Sequence, residues 1–546
     1  MHHCLHNTDL VSIIIDQLDR DKAALVRLAR VCTSFKELAL DALYYKIAFD
    51  DLLGVLPKDL MEPQPEDKEP EWNTMNFQRT MTQDEWCVLI SYAARVRRLD
   101  VAFVEHPDPE NADRNICEVL ARNCPVPSLF PSLVELSMWL KYVESAPRFV
   151  HGICLSPKIR TLVAKQFLAE TLLEDLYRMG HPLSSRCPLL ETFVCGPNSP
   201  IMEVANPSSI VTNTVCAWPN LRVLDCGPLG PRSISHVASM PSFKALRLVL
   251  SEETTWPDEA HLFGLNTLET LNIDCSDLCS YGKLSNVVSS LFGLKHQAHP
   301  PQATLRRIEV VATTTSPSSL SAFATALASH ISHSALQEVI CNENSFRRRG
   351  HGRGVEVAER DISAWFRVLR PFQQLTHIEL RCVNPPQGDG IPIQANTLLE
   401  CARSWPRLRS LTLWLLVTPL KLEETIDLLQ ILPHLEIFDV GTLVTSESIG
   451  SVCESTSPLP SNSRIDALTF DHATEDMQDA DSLASLLAQI VPQVSTVYSV
   501  EHLPYTRWPK RSPFWSTVLR KVRGQEASSD TEYPDHFDPS FQAQQL

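Results

Sequence analysis

The chain has 546 residues, too many for one ordinary globular core, so it holds several domains or one repetitive array. Hydrophobic residues make up 44% of it and charged residues 21%, a balance that buries a sizeable core and leaves an ordinary charged surface. With 48 Lys and Arg against 65 Asp and Glu, the formal charge of -17 repels a phosphate backbone and argues against nucleic acid as a partner.

The opening stretch, MHHCLHNTDL, lacks the basic start, apolar core and small-residue cleavage site of a secretory signal. The 16 cysteines are scattered along the chain, and the two observations together predict a reducing compartment, cytoplasmic or nuclear. His2, His3, Cys4 and His6 offer metal-binding atoms, but no second pair at suitable spacing completes a tetrahedral set. Neither a metal nor another cofactor is expected.

Three short helices come next. Leu10, Ile13, Ile14 and Leu18 recur at i, i+3, i+4 and i+8, and Leu25, Leu28, Ala29 and Cys32 at i, i+3, i+4 and i+7, so each segment carries one apolar face. Asp19 and Asp21 supply helix-start chemistry between them. After Thr33 and Ser34, a third face gathers Phe35, Leu38, Ala39, Ala42 and Leu43. Helices this few bury too little surface to be secure alone. Periodicity fits equally a cap on the following domain and a unit completed by a partner.

The residues NTDLVSIIIDQLD at 7–19, LVRLARVCTSF at 25–35 and LALDALYYKI at 38–47 resemble the F-box motif that opens the F-box proteins of fungi. The pair Val31-Cys32 matches the motif, Phe35 stands where Trp is usual, and Tyr44 falls where a second Trp often occurs. Asn7, Thr8, Asp9 and Leu10 replace a proline-containing start. The resemblance implies docking on a Skp-type adaptor of a cullin-RING ubiquitin ligase, with Leu10, Ile14, Leu18, Leu25, Val31 and Phe35 as the expected apolar contacts. It also implies that the chain is the substrate-recognition subunit of an SCF-type ligase. The repeats described next, taken alone, fit an interaction scaffold outside any ligase.

PKDLMEPQPEDKEPEW at 57–72 is rich in Pro and charge and cannot repay its ordering entropy by burial, which predicts a linker over 51–80. From there one strand-like pattern, L-x-x-L-x-L, recurs. It begins at Val96, Leu133, Ile159, Leu190, Leu221, Phe243, Leu268, Leu305, Leu336, Leu375, Leu408, Leu435, Ile465 and Val494. The starts lie 22 to 39 residues apart, about 31 on average, and so sustained a recurrence of the L-x-x-L-x-L strand points to leucine-rich repeats of irregular length. Helical spacing fills the intervals, as in Leu422, Ile426 and Leu429 or Leu483, Leu486, Leu487 and Ile490. Prolines at 219, 406, 433 and 492, the first two behind Trp218 and Trp405, stop each helix ahead of its strand.

The expected fold is therefore α/β: an irregular leucine-rich-repeat solenoid, a horseshoe or arc, over 81–524, preceded by an all-α three-helix motif at 1–50. The polar, acidic stretch 525–546 reads as disordered. Binding is expected on the strand face, at Arg97, Arg98, Glu135, Arg222, Glu269, Asn272, Arg306, Arg307, Glu309, Thr376, Glu379, Arg409, Thr412 and Asp439. A second candidate is SFRRRGHGRGVE at 345–356, where Arg347, Arg348, Arg349 and Arg353 flank glycines. Its guanidinium forks suit an acidic or phosphorylated target, and its composition suits a solvated insertion equally. The most apolar stretch, at 408–420, is interrupted by Arg409 and Pro419 and falls short of the roughly 20 residues of a membrane span. No nucleophile elbow, Walker loop, zinc-protease helix or kinase signature occurs, so the expected role is non-catalytic binding.

Overall fold

A computed structural model describes residues 8–18, 21–61, 77–104, 116–141, 149–165, 183–196, 209–226, 229–250, 263–293, 303–314, 317–343, 362–381, 394–414, 419–454, 461–470, 472–473, 479–494, 496–499 and 513–522. The expected tail at 525–546 lies outside them. The chain divides into two compact units, Met1–Thr314 with Ser329–Ser332, and Thr315–Ala328 with His333–Leu546.

The first unit opens with α1 (Thr8–Gln17), α2 (Lys22–Ala29) and α3 (Thr33–Leu43). Nine parallel strands follow in sequence order: β1 (Lys46–Ala48), β2 (Arg98–Val104), β3 (Glu135–Lys141), β4 (Thr161–Lys165), β5 (Thr192–Gly196), β6 (Val223–Cys226), β7 (Ala245–Val249), β8 (Thr270–Ser280) and β9 (Arg307–Thr314). Each of β2 to β9 starts two residues after a repeat predicted from the leucine pattern. β1 was not predicted. Its segment, Tyr44 to Phe49, aligns Lys46 with Arg98 and Ile47 with Leu99, so it is a further copy of the repeat in which aromatics stand for leucines.

The strand alternation buries one row of side chains. Ile47, Leu99, Leu136, Leu162, Phe193, Leu224, Leu246, Leu271 and Ile308 stand in register across β1 to β9, and none exceeds 6% exposure. Each such side chain contributes roughly 1.5–3 kcal/mol by leaving water. Register is held by a recurring hydrogen bond in which one carbonyl accepts two successive amides of the next repeat. Arg160 O takes Glu191 N and Thr192 N at 2.8 and 2.9 Å, Glu191 O takes Arg222 N and Val223 N, and Lys244 O takes Glu269 N and Thr270 N. Trp218, fully buried, donates its indole N–H to Cys187 O at 3.1 Å.

The stretch 51–80 differs from the linker expected of it. A helix at Phe49–Leu53, α4, runs straight out of β1, and Leu52, Leu53, Leu56 and Leu60 are all buried. Gln78 N returns to Leu60 O at 2.9 Å. These four leucines repay the ordering of 51–61, while the Pro- and Glu-rich residues 62–76 lie outside the described residues. A helix at Gln83–Ala93, α5, then starts from a capping box: Thr82 Oγ1 accepts Glu85 N, and Glu85 Oε2 accepts Thr82 N at 2.7 Å. Arg79 bonds the same carboxylate at 2.6 Å, and this bond, with those from Thr82, holds Glu85 down to about 2.

The second unit repeats the scheme. β10 (Glu338–Glu343), β11 (His377–Arg381), β12 (Ser410–Trp414), β14 (Ile437–Val440), β16 (Ala467–Phe470) and β18 (Thr496–Ser499) form its parallel ladder. β13 (Leu420–Lys421), β15 (Thr442–Val444) and β17 (His472–Ala473) form a second, three-stranded parallel sheet that the leucine pattern does not signal. Thr376 O takes Arg409 N and Ser410 N, the same paired bond as in the first unit. Trp405 donates to Leu369 O at 3.2 Å, and the buried Asn462 gives its amide to Leu432 O at 3.2 Å. The Trp of a Trp-Pro stop thus does more than end a helix: its indole adds a second hydrogen bond to a carbonyl of the preceding repeat, Cys187 O or Leu369 O, that already takes a local backbone amide, and so ties the two repeats together.

Two outcomes follow. Trp405→Phe removes one of the two hydrogen bonds to Leu369 O, which keeps the amide of Phe372 at 3.1 Å, and lowers the unfolding free energy in urea by about 0.5–1.5 kcal/mol; an unchanged midpoint would show the bond to be idle. Because the Glu85 carboxylate is depressed in the folded chain, its stabilisation is complete above the unfolded value near 4.5 and is lost as pH falls toward about 2. Glu85→Gln therefore lowers the thermal midpoint at pH 7, and the gap to the parent closes between about pH 4.5 and 2.

Candidate functional site

The three N-terminal helices have a small core of their own. Val11, Ile15, Leu25 and Phe35 are buried together, with Leu18, Leu28, Cys32, Leu38, Ala42 and Leu43 packed around them. Asp21 caps α2 by accepting Ala24 N at 2.9 Å. Arg95, just beyond α5, ion-pairs with Glu37 and Asp41 of α3, and the Tyr44 ring lies 4.8 Å from Tyr92. The helices are thereby attached to the first repeats. Burial, and then the neighbouring Tyr92, raise the Tyr44 hydroxyl above its ordinary value.

The expected docking set separates into two groups. Leu10, Ile14 and Val31 are on the surface at 43%, 44% and 65% exposure. Leu25 and Phe35 are not: both are buried in the helical core, and Leu18 packs against it. The inward face of α1 is Val11, Ile15 and Leu18, at the same helical spacing as the face read from sequence. The apolar residues of α1, Leu10, Val11, Ile13, Ile14 and Ile15, cover an arc of about half the helix, wide enough that periodicity admits either part of it as the inward face, and the positions of Leu25 and Phe35 decide between them. Ile13 at 57% and Val26 at 37% join the exposed set. Neither was among the expected contacts.

The strand face of the first unit presents aligned rows. The row at the entry to the strands sets Arg97, Arg160, Arg222, Lys244 and Arg306 against Glu191 and Glu269, with Arg160 meeting Glu191 at 2.9 Å and Lys244 meeting Glu269 at 2.9 Å. The bond from Lys244 holds Glu269 below its ordinary value. One row further in, Asp100, Ser137, Val163, Val194, Asp225, Arg247, Asn272 and Glu309 stand in register. Arg247 sits between Asp225 at 3.5 Å and Asp274 at 3.1 Å. Burial pushes the Asp225 carboxyl up against the pull of Arg247. Trp139, on the same face of β3, is 45% exposed. Sequence reading passed over Trp139 and Asp225, although both occupy face positions of the repeat.

In the second unit, Glu379 and Thr412 were expected on the surface and are buried, at 9% and 3%. Glu379 is covered by Arg381 at 2.9 Å and His377 at 3.3 Å, and Thr412 stands between Glu379 and Asp439 in the ladder, where longer neighbours shade it. Burial works to raise Glu379, and its bonds to His377 and Arg381 outweigh that and hold it low. Arg347, Arg348, Arg349 and Arg353 lie outside the described residues, as do His2, His3, Cys4 and His6. Among the described residues no His, Cys, Asp and Glu cluster of metal-binding geometry occurs, and no helix is long and apolar enough to cross a membrane.

No protein-family model matches the chain, and a search of curated proteins found no match. Among solved structures, the crystal structure of the leucine-rich repeat-containing protein LegL7 from Legionella pneumophila aligns over 79% of this chain and 99% of that chain, at 12% identity and a TM-score of 0.29. That score is too low to carry an argument. The repeat architecture rests on this chain's own ladders: an α/β fold of parallel strands in repeat register, as a leucine-rich-repeat solenoid has.

The division of the docking set has a direct consequence for stability. Leu25→Ala removes a core side chain and costs about 2–5 kcal/mol, whereas Val31→Ser stays within about 0.5 kcal/mol of the parent, both read from urea unfolding.

Proposed function

We propose that this chain is the non-catalytic target-binding subunit of an SCF-type cullin-RING ubiquitin ligase. In this reading α1 to α3 dock on a Skp-type adaptor and the repeats hold a target protein. The observation that carries it is the concentration of exposed apolar side chains on the helices. Leu10, Ile13, Ile14, Val26 and Val31 are exposed within 22 consecutive residues, while the far longer remainder of the described chain exposes Tyr45, Val88, Trp139, Leu189 and Ile437 singly. An exposed apolar group on a unit that already has its own core marks an interaction surface. The resemblance of 7–47 to the F-box motif supplies the identity of the partner.

The roles divide accordingly. Leu25, Phe35 and Leu18 hold the helices in place, and Leu10, Ile13, Ile14 and Val31 make the contact. The salt bridges of Arg95 keep that contact fixed relative to the first repeats. Two binding surfaces on one body make ubiquitin transfer to a bound target nearly intramolecular, so the chain contributes geometry and effective concentration.

The test is co-purification with a Skp-type adaptor, comparing the parent with a Leu10→Asp, Ile14→Asp double variant. Both positions are exposed, so the free variant keeps its circular dichroism and thermal midpoint. Two carboxylates at a docked apolar contact cost several kcal/mol, roughly 3 or more, and abolish capture. A parent chain that fails to capture the adaptor overturns the ligase reading and leaves an interaction scaffold.

A further inference from the structure

The residues that lead into β4 to β9 are strung on an unbroken run of backbone hydrogen bonds. Arg160 O takes Glu191 N, Glu191 O takes Arg222 N, Arg222 O takes Lys244 N, Lys244 O takes Glu269 N and Glu269 O takes Arg306 N, all at 2.7 or 2.8 Å. Six residues are therefore set in one line, one per strand, about 4.8 Å apart. Their charges run plus, minus, plus, plus, minus, plus. Glu191 is shared by Arg160 at 2.9 Å and Arg222 at 3.8 Å, and Glu269 is bonded by Lys244 at 2.9 Å and feels the charge of Arg306 as well. Each carboxylate thus serves two cations, and Arg222 and Lys244 are neighbours with no carboxylate between them in the ladder.

Like charges side by side repel, and both of these stay open to solvent, with side chains exposed at 61% for Arg222 and 46% for Lys244. The row that follows the line, Thr161, Thr192, Val223, Ala245 and Thr270, is uncharged and half-buried. Further in, Asp225 and Asp274 both meet Arg247. At the borders, Glu135 pairs with Arg98 at 3.2 Å and Glu309 with Arg307 at 3.1 Å. The segments that lead into these strands, 155–160, 183–191, 216–222, 239–244, 263–269 and 303–306, contain no carboxylate besides Glu191 and Glu269. They do add Lys158, exposed two residues before Arg160. With it the line holds five cations against two carboxylates, a surplus of three, in a chain whose total is -17. Charges in water are screened beyond about 8–10 Å at physiological salt, so a ligand on the line answers to this local surplus.

We infer that this line holds an extended, acidic segment of a target protein, with carboxylates at three places: beside Lys158 and Arg160, between Arg222 and Lys244, and beside Arg306. Uncharged residues of the segment lie opposite Glu191 and Glu269. From β4 to β9 is five strand spacings, about 24 Å, so neighbouring carboxylates stand about 12 Å apart, close to the reach of four extended residues. Four is even, so in a strand-like segment all three carboxylates project from one side. A helix would need about eight residues for the same step. A nucleic-acid strand, charged at every nucleotide, would set phosphates against Glu191 and Glu269. A single phosphoryl group would place its charge at one of the three positions and leave the other two unmatched. The inference rests on the reading that the repeats hold a protein target, and it names the chemistry of that target.

The probe is a pool of fluorescent nine-residue peptides with glutamate at the first, fifth and ninth positions and small uncharged residues randomised between them. Binding to the full chain is followed by anisotropy. One comparison pool replaces the glutamates with glutamine, and a second groups the three glutamates together at the centre. A third carries one central phosphoserine with glutamine at both ends, and the last ligand is a thymidine strand of equal length. The spaced-glutamate pool binds, weakens as salt is raised, and binds more tightly than all four. Arg222→Gln and Lys244→Gln each weaken it about threefold, and the double variant about tenfold. Glu191→Gln releases Arg160 and Arg222 and tightens binding about threefold, a gain that no folding defect produces. Arg409→Gln, in the second unit, leaves it unchanged. Arg222, Lys244 and Arg409 are exposed, so their variants keep the thermal midpoint of the parent. No binding up to about 1 mM, equal or tighter binding of any comparison ligand, or an Arg222→Gln, Lys244→Gln variant that binds as the parent does would each overturn the proposal. Adaptor capture is measured on the same proteins: the Arg222→Gln, Lys244→Gln variant captures the adaptor normally, and the Leu10→Asp, Ile14→Asp variant binds the peptides normally. A parent chain that captures the adaptor and binds no peptide sinks this inference alone, and one that binds the peptides and captures no adaptor sinks only the ligase reading.

Discussion

The structure depends on one recurring hydrogen bond, the carbonyl that accepts two consecutive amides from the repeat after it. At Tyr45, Arg97, Val134, Arg160, Glu191, Arg222, Lys244 and Glu269 in the first unit, and at Gln337, Thr376 and Arg409 in the second, the same acceptor sits at the entry to a strand. It makes the register between neighbouring repeats independent of what lies between them. Intervals of 22 to 39 residues therefore coexist with ladders that keep equivalent positions opposite each other. A slip of one residue would turn each buried leucine toward the solvent face, so the carbonyl and the core row enforce the same register.

Aligned positions become rows, and rows decide what the surface can do. The buried row from Ile47 to Ile308 supplies stability. The entry row is rich in Arg and Lys, and its ion pairs, Arg160 with Glu191 and Lys244 with Glu269, are each worth little in water. The inner row is mixed, because Arg247 meets both Asp225 and Asp274, while Val163 and Val194 stand side by side between Ser137 and Asp225. No single strand contains that pattern. It exists only after β2 to β6 have been placed side by side.

This is also why part of the molecule was legible in the sequence and part was not. Strand positions were readable because a leucine that must be buried in every repeat leaves a period. β1 escaped because Tyr44, Ile47 and Phe49 fill the same positions without a leucine. The three helices were readable, but the inward face of α1 was not, since Val11, Ile15 and Leu18 match the helical period as well as Leu10 and Ile14 do. Leu25 and Phe35 illustrate the general difficulty: an apolar residue on a periodic face is the same letter whether it serves the core or a partner. Glu379 and Thr412 fail in the opposite sense, as polar letters at face positions that their neighbours happen to cover. The sheet of β13, β15 and β17 has strands of two or three residues, too short for any alternation to register.

The seam between helices and repeats joins these arguments. A small helical unit tethered by a flexible chain would give its two surfaces no fixed relation, and the advantage of joining them would fall with tether length. Here α3 leads into β1 within three residues, and β1 is already a member of the ladder. Arg95 grips α3 at Glu37 and Asp41 from the far side of the same repeat, and Tyr44 closes on Tyr92. The unpredicted strand is thus the element that gives the helices a direction. Without β1 the exposed set of Leu10, Ile13, Ile14 and Val31 would be an apolar patch on a loose arm. With it, the patch is held at a set distance from Trp139, two strands along the same ladder.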